Sequence, residues 1–435
     1  MPVNVHSTGG PQTPAVALDA RRARWAISLL FFLNGASFCA IMPRYPELVE
    51  SIGLSNTAFG LAVGIGPVGG LIAGLGAAGL MRRFGSARVA VLAQLVASTT
   101  HLAVYLSGSW LWLAAALVLA MAADSITDIS MNAHGMRVER RYRRSIMNSY
   151  HGWWSLGAVA GGLIGSTFAQ IGLPLWVQGV LGLVVFGVLA AVSLRSMLPG
   201  HDATERAPAA AGPSAGSGAE VPAQIAPSGL RIAGMSLRAL GLVAALGMVL
   251  VFAGSTEDAG NTWGALFMTS TFEATPFFAG MAFVALQGAQ TIGRFTGDAV
   301  VDRIGDRATA RLGALIGALG MGFALLLPHP ATALIGFAAA GWGVATLFPS
   351  AFRAADDMPG VPHGVGITVV GWFARLGFFV TPPIVGALGD AVTLRYALWI
   401  VPVYMVGILL FSGVLETRWR RRSPTAGGDP AGQAR

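Results

Sequence analysis

Nine stretches of this chain contain no charged side chain: 25–43, 51–81, 89–123, 145–194, 239–256, 274–293, 312–352, 358–374 and 396–415. A helix needs about 20 predominantly apolar residues, with a working range of roughly 17–25, to cross about 30 Å of hydrocarbon. Three runs are long enough for two crossings, and each has a turn signal inside it: Ser107-Gly108-Ser109, Gly172-Leu173-Pro174 and Pro328-His329-Pro330. Nine runs therefore predict twelve spanning helices, an all-α membrane protein. Only 11% of the 435 residues are charged, against about 25% in soluble domains. That excludes soluble enzymes and nucleic-acid binders, although the formal net charge is +8.

All 28 basic residues are Arg, and their placement sets an orientation. Alternating sides from a cytoplasmic N-terminus puts 24 of them inside, with Arg44 and Arg395 outside and Arg294 and Arg375 within spans. This asymmetry predicts that both termini are cytoplasmic. The basic excess then reads as an orientation signal and a contact for anionic lipids. Arg21, Arg22 and Arg24 precede 19 uncharged residues, too many for a signal core, and Pro43-Arg44-Tyr45-Pro46 offers no small-residue cleavage site, so the first run is kept as a span. The single Cys39 excludes a disulfide framework. A chain without Lys cannot hold a Walker phosphate loop, and no His-Glu-x-x-His or Cys pair suggests a metal, so no cofactor and no metal are expected.

Residues 199–235 are rich in Ala, Pro, Gly and Ser, a composition that cannot bury enough surface to order itself. The expected organisation is a disordered tail over 1–23, a six-helix half over 24–198, a cytoplasmic linker over 199–235, a second six-helix half over 236–416 and a basic tail over 417–435. Internal matches support duplication. Arg82-Arg83-Phe84-Gly85 corresponds to Asp302-Arg303-Ile304-Gly305 at an offset of 220, and Leu156-Gly157 to Leu376-Gly377 at the same offset.

Six spans plus six, a long central loop and the Asp302-Arg303-Ile304-Gly305 turn resemble the major facilitator superfamily. Asp128, Met131, Asn132, Gly135, Val138, Glu139 and Arg140, followed by Ile146-Met147 and by His151, Trp153, Trp154, Ser155, Leu156 and Gly157, resemble one branch of it. That branch comprises largely uncharacterised bacterial inner-membrane transporters distantly similar to fucose permeases. Glu257 and the segment Trp263-Gly264-Ala265-Leu266-Phe267 match it in the seventh span. Arg82 departs from the usual Asp of the superfamily, and Thr262 stands where the branch has Asp. The resemblance implies a monomer in the inner membrane that moves a small-molecule substrate by alternating access.

An ionisable side chain in hydrocarbon costs about 2.5–3.5 kcal/mol even on permissive scales, so each needs a partner, water or a purpose. Asp124, Asp128 and Asn132, spaced by four, share one face of the fourth span. Two carboxylates so close cannot both ionise cheaply, which suits a proton carrier; a structural network is the other reading. Glu257 and Asp258 lie about 100° apart around the seventh span, and the resemblance selects Glu257. Arg375, among Trp372, Phe373, Phe378 and Phe379, must meet an anion, either an internal carboxylate or an acidic substrate. Asn34, Gln287, Gln290, Trp372 and His151 are further substrate-binding candidates. Arg83, Arg294, Asp298, Asp302 and Arg303 read as a cytoplasmic gate, and Gly64, Gly66, Gly69, Gly70, Thr381, Pro382 and Pro383 as sites of close packing and bending. The expectation is a proton-coupled secondary transporter of a small polar solute. Its alternatives are a drug or metabolite exporter of the same fold and a transporter-like receptor that binds without moving its ligand.

Overall fold

A computed structural model describes residues 18–142, 146–200, 231–232, 235–358, 361 and 365–415. The helices are α1 (Leu18–Cys39), α2 (Tyr45–Ile52), α3 (Asn56–Phe84), α4 (Ser86–Tyr105), α5 (Trp110–Tyr142), α6 (Met147–Gln170), α7 (Leu175–Ser193), α8 (Leu237–Phe272), α9 (Pro276–Ile304), α10 (Asp306–Leu326), α11 (Pro330–Val344), α12 (Leu347–Asp356), α13 (Val365–Ala391), α14 (Leu394–Ala397) and α15 (Ile400–Phe411). Among the described residues, ten segments are long and apolar enough to cross a membrane. Helices α6 and α9 contain 24 and 29 residues, about 36 and 44 Å at 1.5 Å per residue, and complete the twelve. The three turn signals each separate two helices: α4 from α5, α6 from α7 and α10 from α11.

Within the 199–235 segment, residues 201–230 lie outside those described. Arg231–Ile232 pairs antiparallel with Met235–Ser236, and Ser236 then caps α8 by accepting from the Ala239 N–H at 3.2 Å. The tails at 1–17 and 416–435 likewise lie outside the described residues.

The 220-residue offset recurs in the backbone. Gly85 (φ 81°, ψ 150°) ends α3 and Gly305 (φ 84°, ψ 160°) ends α9, a conformation open essentially to Gly alone. Gly157 of α6 packs on the backbone of Phe32 in α1, while Gly377 of α13 packs on Val251 and Ser255 in α8. At both sites a Cβ would overlap main chain, so Gly permits helix axes to approach as small residues do in membrane interfaces.

Two compact units emerge. The first comprises Met1–Arg44 and Ile65–Ala219; the second comprises Tyr45–Gly64 and Glu220–Arg435. Inside the first, Gly69 meets Val118 O and Gly74 meets Ser125. Inside the second, Gly60 and Gly64 lie against Pro382 and Pro383, which sit within α13.

Several charges are structural fastenings. Arg44 is fully buried, donating to Gln178 Oε1 and to Leu173 O, both at 2.6 Å. Arg137 is buried too and donates to the carbonyls of Leu198, Pro199 and Gly200, holding the chain that follows α7. Glu139 Oε2 accepts the Ile146 and Met147 N–H groups at 2.6 and 2.9 Å, serving the open amides at the start of α6. Arg395 satisfies the carbonyls of Leu325 and Leu326 at the end of α10.

Candidate functional site

Each unit holds its own buried polar cluster. In the first, Asn34 of α1 is the hub. Its Nδ2 donates to Asp124 Oδ1 of α5 at 2.8 Å and to Gln94 Oε1 of α4 at 3.2 Å, while its Oδ1 accepts from Trp154 Nε1 of α6 at 2.8 Å. Gln94 Nε2 continues to Ser37 Oγ at 3.2 Å, and that hydroxyl donates to Asn34 O. Four helices thus converge on one carboxylate with neutral partners. Low local polarity strengthens every bond of such a network and makes any unpaired member costly.

Asp128 and Asn132 lie further along α5. Asn132 Nδ2 donates to Asp128 Oδ1 and to Asp128 O, both at 2.9 Å, one helical turn back. Asp128 is exposed, unlike Asp124. His151 packs edge-on against Phe31, ring centroids 5.5 Å apart, and Trp153 meets Trp25 and Phe32 in similar fashion. The two adjacent indoles therefore differ: Trp154 joins the polar hub and Trp153 an aromatic group.

The second unit's cluster is built on α8 and α9. Glu257 is buried and its Oε2 accepts from Gln290 Nε2 at 2.9 Å. Asp258, also buried, turns to another face and accepts from Thr262 Oγ1 at 3.1 Å. On α13 and α15, the Thr381 and Tyr404 hydroxyls are 3.3 Å apart. Six buried polar atoms here have no hydrogen-bond partner among the described residues: Thr256 Oγ1, Asp258 Oδ2, Asn261 Oδ1, Trp263 Nε1, Gln287 Oε1 and Gln290 Oε1. Buried polar groups are nearly always satisfied, so a concentration of open donors and acceptors on two neighbouring helices marks a place where water or a ligand completes the bonding.

Arg375 is exposed on α13, beside exposed Trp372 one turn away. Its Nη1 donates to Gly371 O at 3.2 Å, and it forms no ion pair among the described residues. Arg294, Asp298, Asp302 and Arg303 are exposed along the last turns of α9, and Arg83 is exposed at the end of α3 over the Phe84 ring. Beyond that series, Asp306 opens α10 and pairs with Arg353 of α12 at 3.1 Å.

Sequence reasoning passed over Gln94, Ser37, Thr256, Asn261 and the Asp306–Arg353 pair. Gln94 is the one amide in the long uncharged run 89–123, and weighing amides equally with carboxylates would have found it. Which hydroxyls face a carboxylate depends on helix rotation, which composition does not encode.

The family model described as Major Facilitator Superfamily matches residues 27–263 and 248–435. The membrane protein MosC of Rhizobium meliloti is 28% identical over 385 residues, covering 88% of each chain. An uncharacterised MFS-type transporter of Yersinia pestis is 24% identical, covering 87% of this chain and 92% of its own. Among solved structures, the inward-facing, unoccupied form of a bacterial homologue of the human lysosomal transporter Spinster aligns with TM-score 0.69 at 14% identity, covering 93% of this chain and 99% of that one. A family model that accounts for nearly all of the spanning region, together with twelve helices in two related units, places the chain: it belongs to the major facilitator superfamily and is a multi-pass membrane transporter.

Proposed function

We propose that this chain is a proton-coupled secondary transporter that moves a small polar solute by alternating access, with Asp124, Asp128 and Glu257 as proton or substrate carboxylates and Arg375 as the cation of the site. The observation that carries this reading is the neutral partner of two of these carboxylates: Asp124 bonds to Asn34, and Glu257 bonds to Gln290. A cation there would lock the acid in its charged form. An amide offers both a donor and a carbonyl, so it serves the carboxylate and the protonated acid alike.

Ionisable groups at membrane depth mark substrate and ion pathways. Arg375 sits in a spanning helix with a backbone carbonyl as its acceptor, which leaves its fork to engage an anionic group of the solute. Asn132, Gln287, Gln290, Trp372 and His151 supply further contacts. Arg83, Arg294, Asp298, Asp302 and Arg303 form the gate at the cytoplasmic ends. The Arg distribution supports insertion in the cytoplasmic membrane with both termini inside and contact with anionic lipid.

The test begins with thermal stabilisation of purified protein by sugars, organic acids and amphiphilic drugs, followed by flux of the stabilising solute in proteoliposomes. Accumulation driven by an imposed pH gradient is expected for a polar solute. Binding without flux would establish the receptor alternative, and flux indifferent to the gradient would remove proton coupling.

A further inference from the structure

A separate cavity of about 340 Å³ lies inside the first unit, among α1, α4, α6 and α7. Ile164, Phe168, Leu181 and Val185 give it an apolar wall, and no charged side chain lines it. Leu181 and Val185 are exposed apolar residues of α7, whose outward surface is hydrocarbon-facing by composition. The inner end differs. His101 and Ser98 of α4 line it, each under a tenth exposed, and Ser98 Oγ and both ring nitrogens of His101 have no hydrogen-bond partner among the described residues. The His101 ring is held against Phe38, centroids 6.0 Å apart.

We propose that this cavity is a second ligand site, for a neutral, membrane-borne amphiphile with a hydroxyl head, an aliphatic alcohol or a phenol. A neutral imidazole presents one donor and one acceptor, and the serine hydroxyl presents both. A hydroxyl head donates once and accepts twice, so it can bond one ring nitrogen, whichever tautomer the ring adopts, and the serine hydroxyl together. A carboxylate or phosphate offers acceptors only, an ammonium donors only, and either charge would enter an apolar chamber without a counter-ion. The volume lies at the lower end of the range of about 300–1,000 Å³ typical of small-molecule pockets. Because Ser37 lines the cavity and also accepts from Gln94, an occupant sits next to the Asn34 hub without contacting Asp124.

The test uses the full chain in lipid nanodiscs with a photoreactive aliphatic alcohol and its carboxylate and amine counterparts, crosslinks being located by mass spectrometry. Labelling of the 98–105 or 164–186 segments by the alcohol is expected to be saturable, competed by unlabelled alcohol and at least tenfold stronger than with either ion. It should fall at least fivefold in His101→Phe, which removes the polar end, and in Gly182→Leu, which narrows the chamber. A Cβ at Gly182 meets only the Phe186 ring, at 3.7 Å, so this variant decides if His101→Phe does not fold. Labelling that is not competed, that is equal for the carboxylate, or that persists in Gly182→Leu overturns the proposal, as does a wild-type chamber holding water alone.

Discussion

Asn34 Nδ2 lies 2.8 Å from Asp124 Oδ1, so the side chain of α1 is what positions the α5 carboxylate. The same amide accepts from Trp154, so its removal leaves both an acid and an indole unanswered. Asn34→Ala is therefore expected to cost about 1–3 kcal/mol of stability, the penalty for stranding part-buried polar groups. Asp124→Asn keeps an oxygen facing Asn34 and should cost under about 1 kcal/mol, while abolishing gradient-driven accumulation. Thermal unfolding and proteoliposome uptake of both variants check this pair; Asp124→Asn with full accumulation would remove Asp124 from the coupling role.

Glu257 and Gln290 make the corresponding separation in the second unit. Glu257→Gln preserves an acceptor for Gln290, so folding should be retained and the pH dependence of uptake lost. Gln290→Leu removes the donor and one of the open acceptors, and should weaken solute binding by tenfold or more, about 1.4 kcal/mol. Thermal-shift titration with the transported solute measures the latter. Undiminished affinity would place the solute elsewhere.

The twelve helices and the duplicated plan were legible in the chain because both depend on quantities that sequence carries directly, the spacing of charges and the recurrence of a motif. Gly85 and Gly305 show how far that reached: a 220-residue offset read from letters became the same backbone conformation. The polar clusters were only half legible. Asp124 and Glu257 stand out as rare charges, yet their amide partners come from helices 90 and 33 residues away, and no local pattern announces such pairings. Arg44 and Arg137 exposed a different limit. Counting Arg by side of the membrane predicts orientation, and it is silent on which of them fold inward onto carbonyls.

Those two glycines also give a stability test independent of transport. With φ above 80° and ψ near 150°, any Cβ is strained at either place. Gly85→Ala and Gly305→Ala should each destabilise by about 1–3 kcal/mol. A loss at one position with tolerance at the other would show that the two turns are not held with equal rigidity.

The Asp306–Arg353 pair joins α10 to α12 with its Arg side chain 46% exposed. Asp306 is buried, but its partner's guanidinium is open to solvent that screens the pair, so a double-mutant cycle with Asp306→Asn and Arg353→Gln should yield a coupling below about 1 kcal/mol that shrinks with added salt. Larger coupling, insensitive to salt, would mean that water is excluded from the pair.

Asp390, at the end of α13, accepts the Asn56 N–H at 2.9 Å and the Thr57 N–H at 2.8 Å, supplying the first turn of α3 from 334 and 333 residues away. The first amides of a helix have no partner within it, and the positive end of the helix dipole favours a carboxylate there. Close packing reinforces the contact: a Cβ on Gly386 would overlap the carbonyl of Asn56, so the two backbones touch. Asp390→Ala removes both acceptors and should cost about 0.5–2 kcal/mol, as loss of an N-cap does. Asp390→Asn retains one oxygen and should recover part of it. Hydrogen exchange resolved over 55–60 reads this locally, with faster exchange expected in the order Ala, Asn, wild type. Equal protection in all three would show that packing against Pro382 and Pro383, rather than the carboxylate, holds the start of α3.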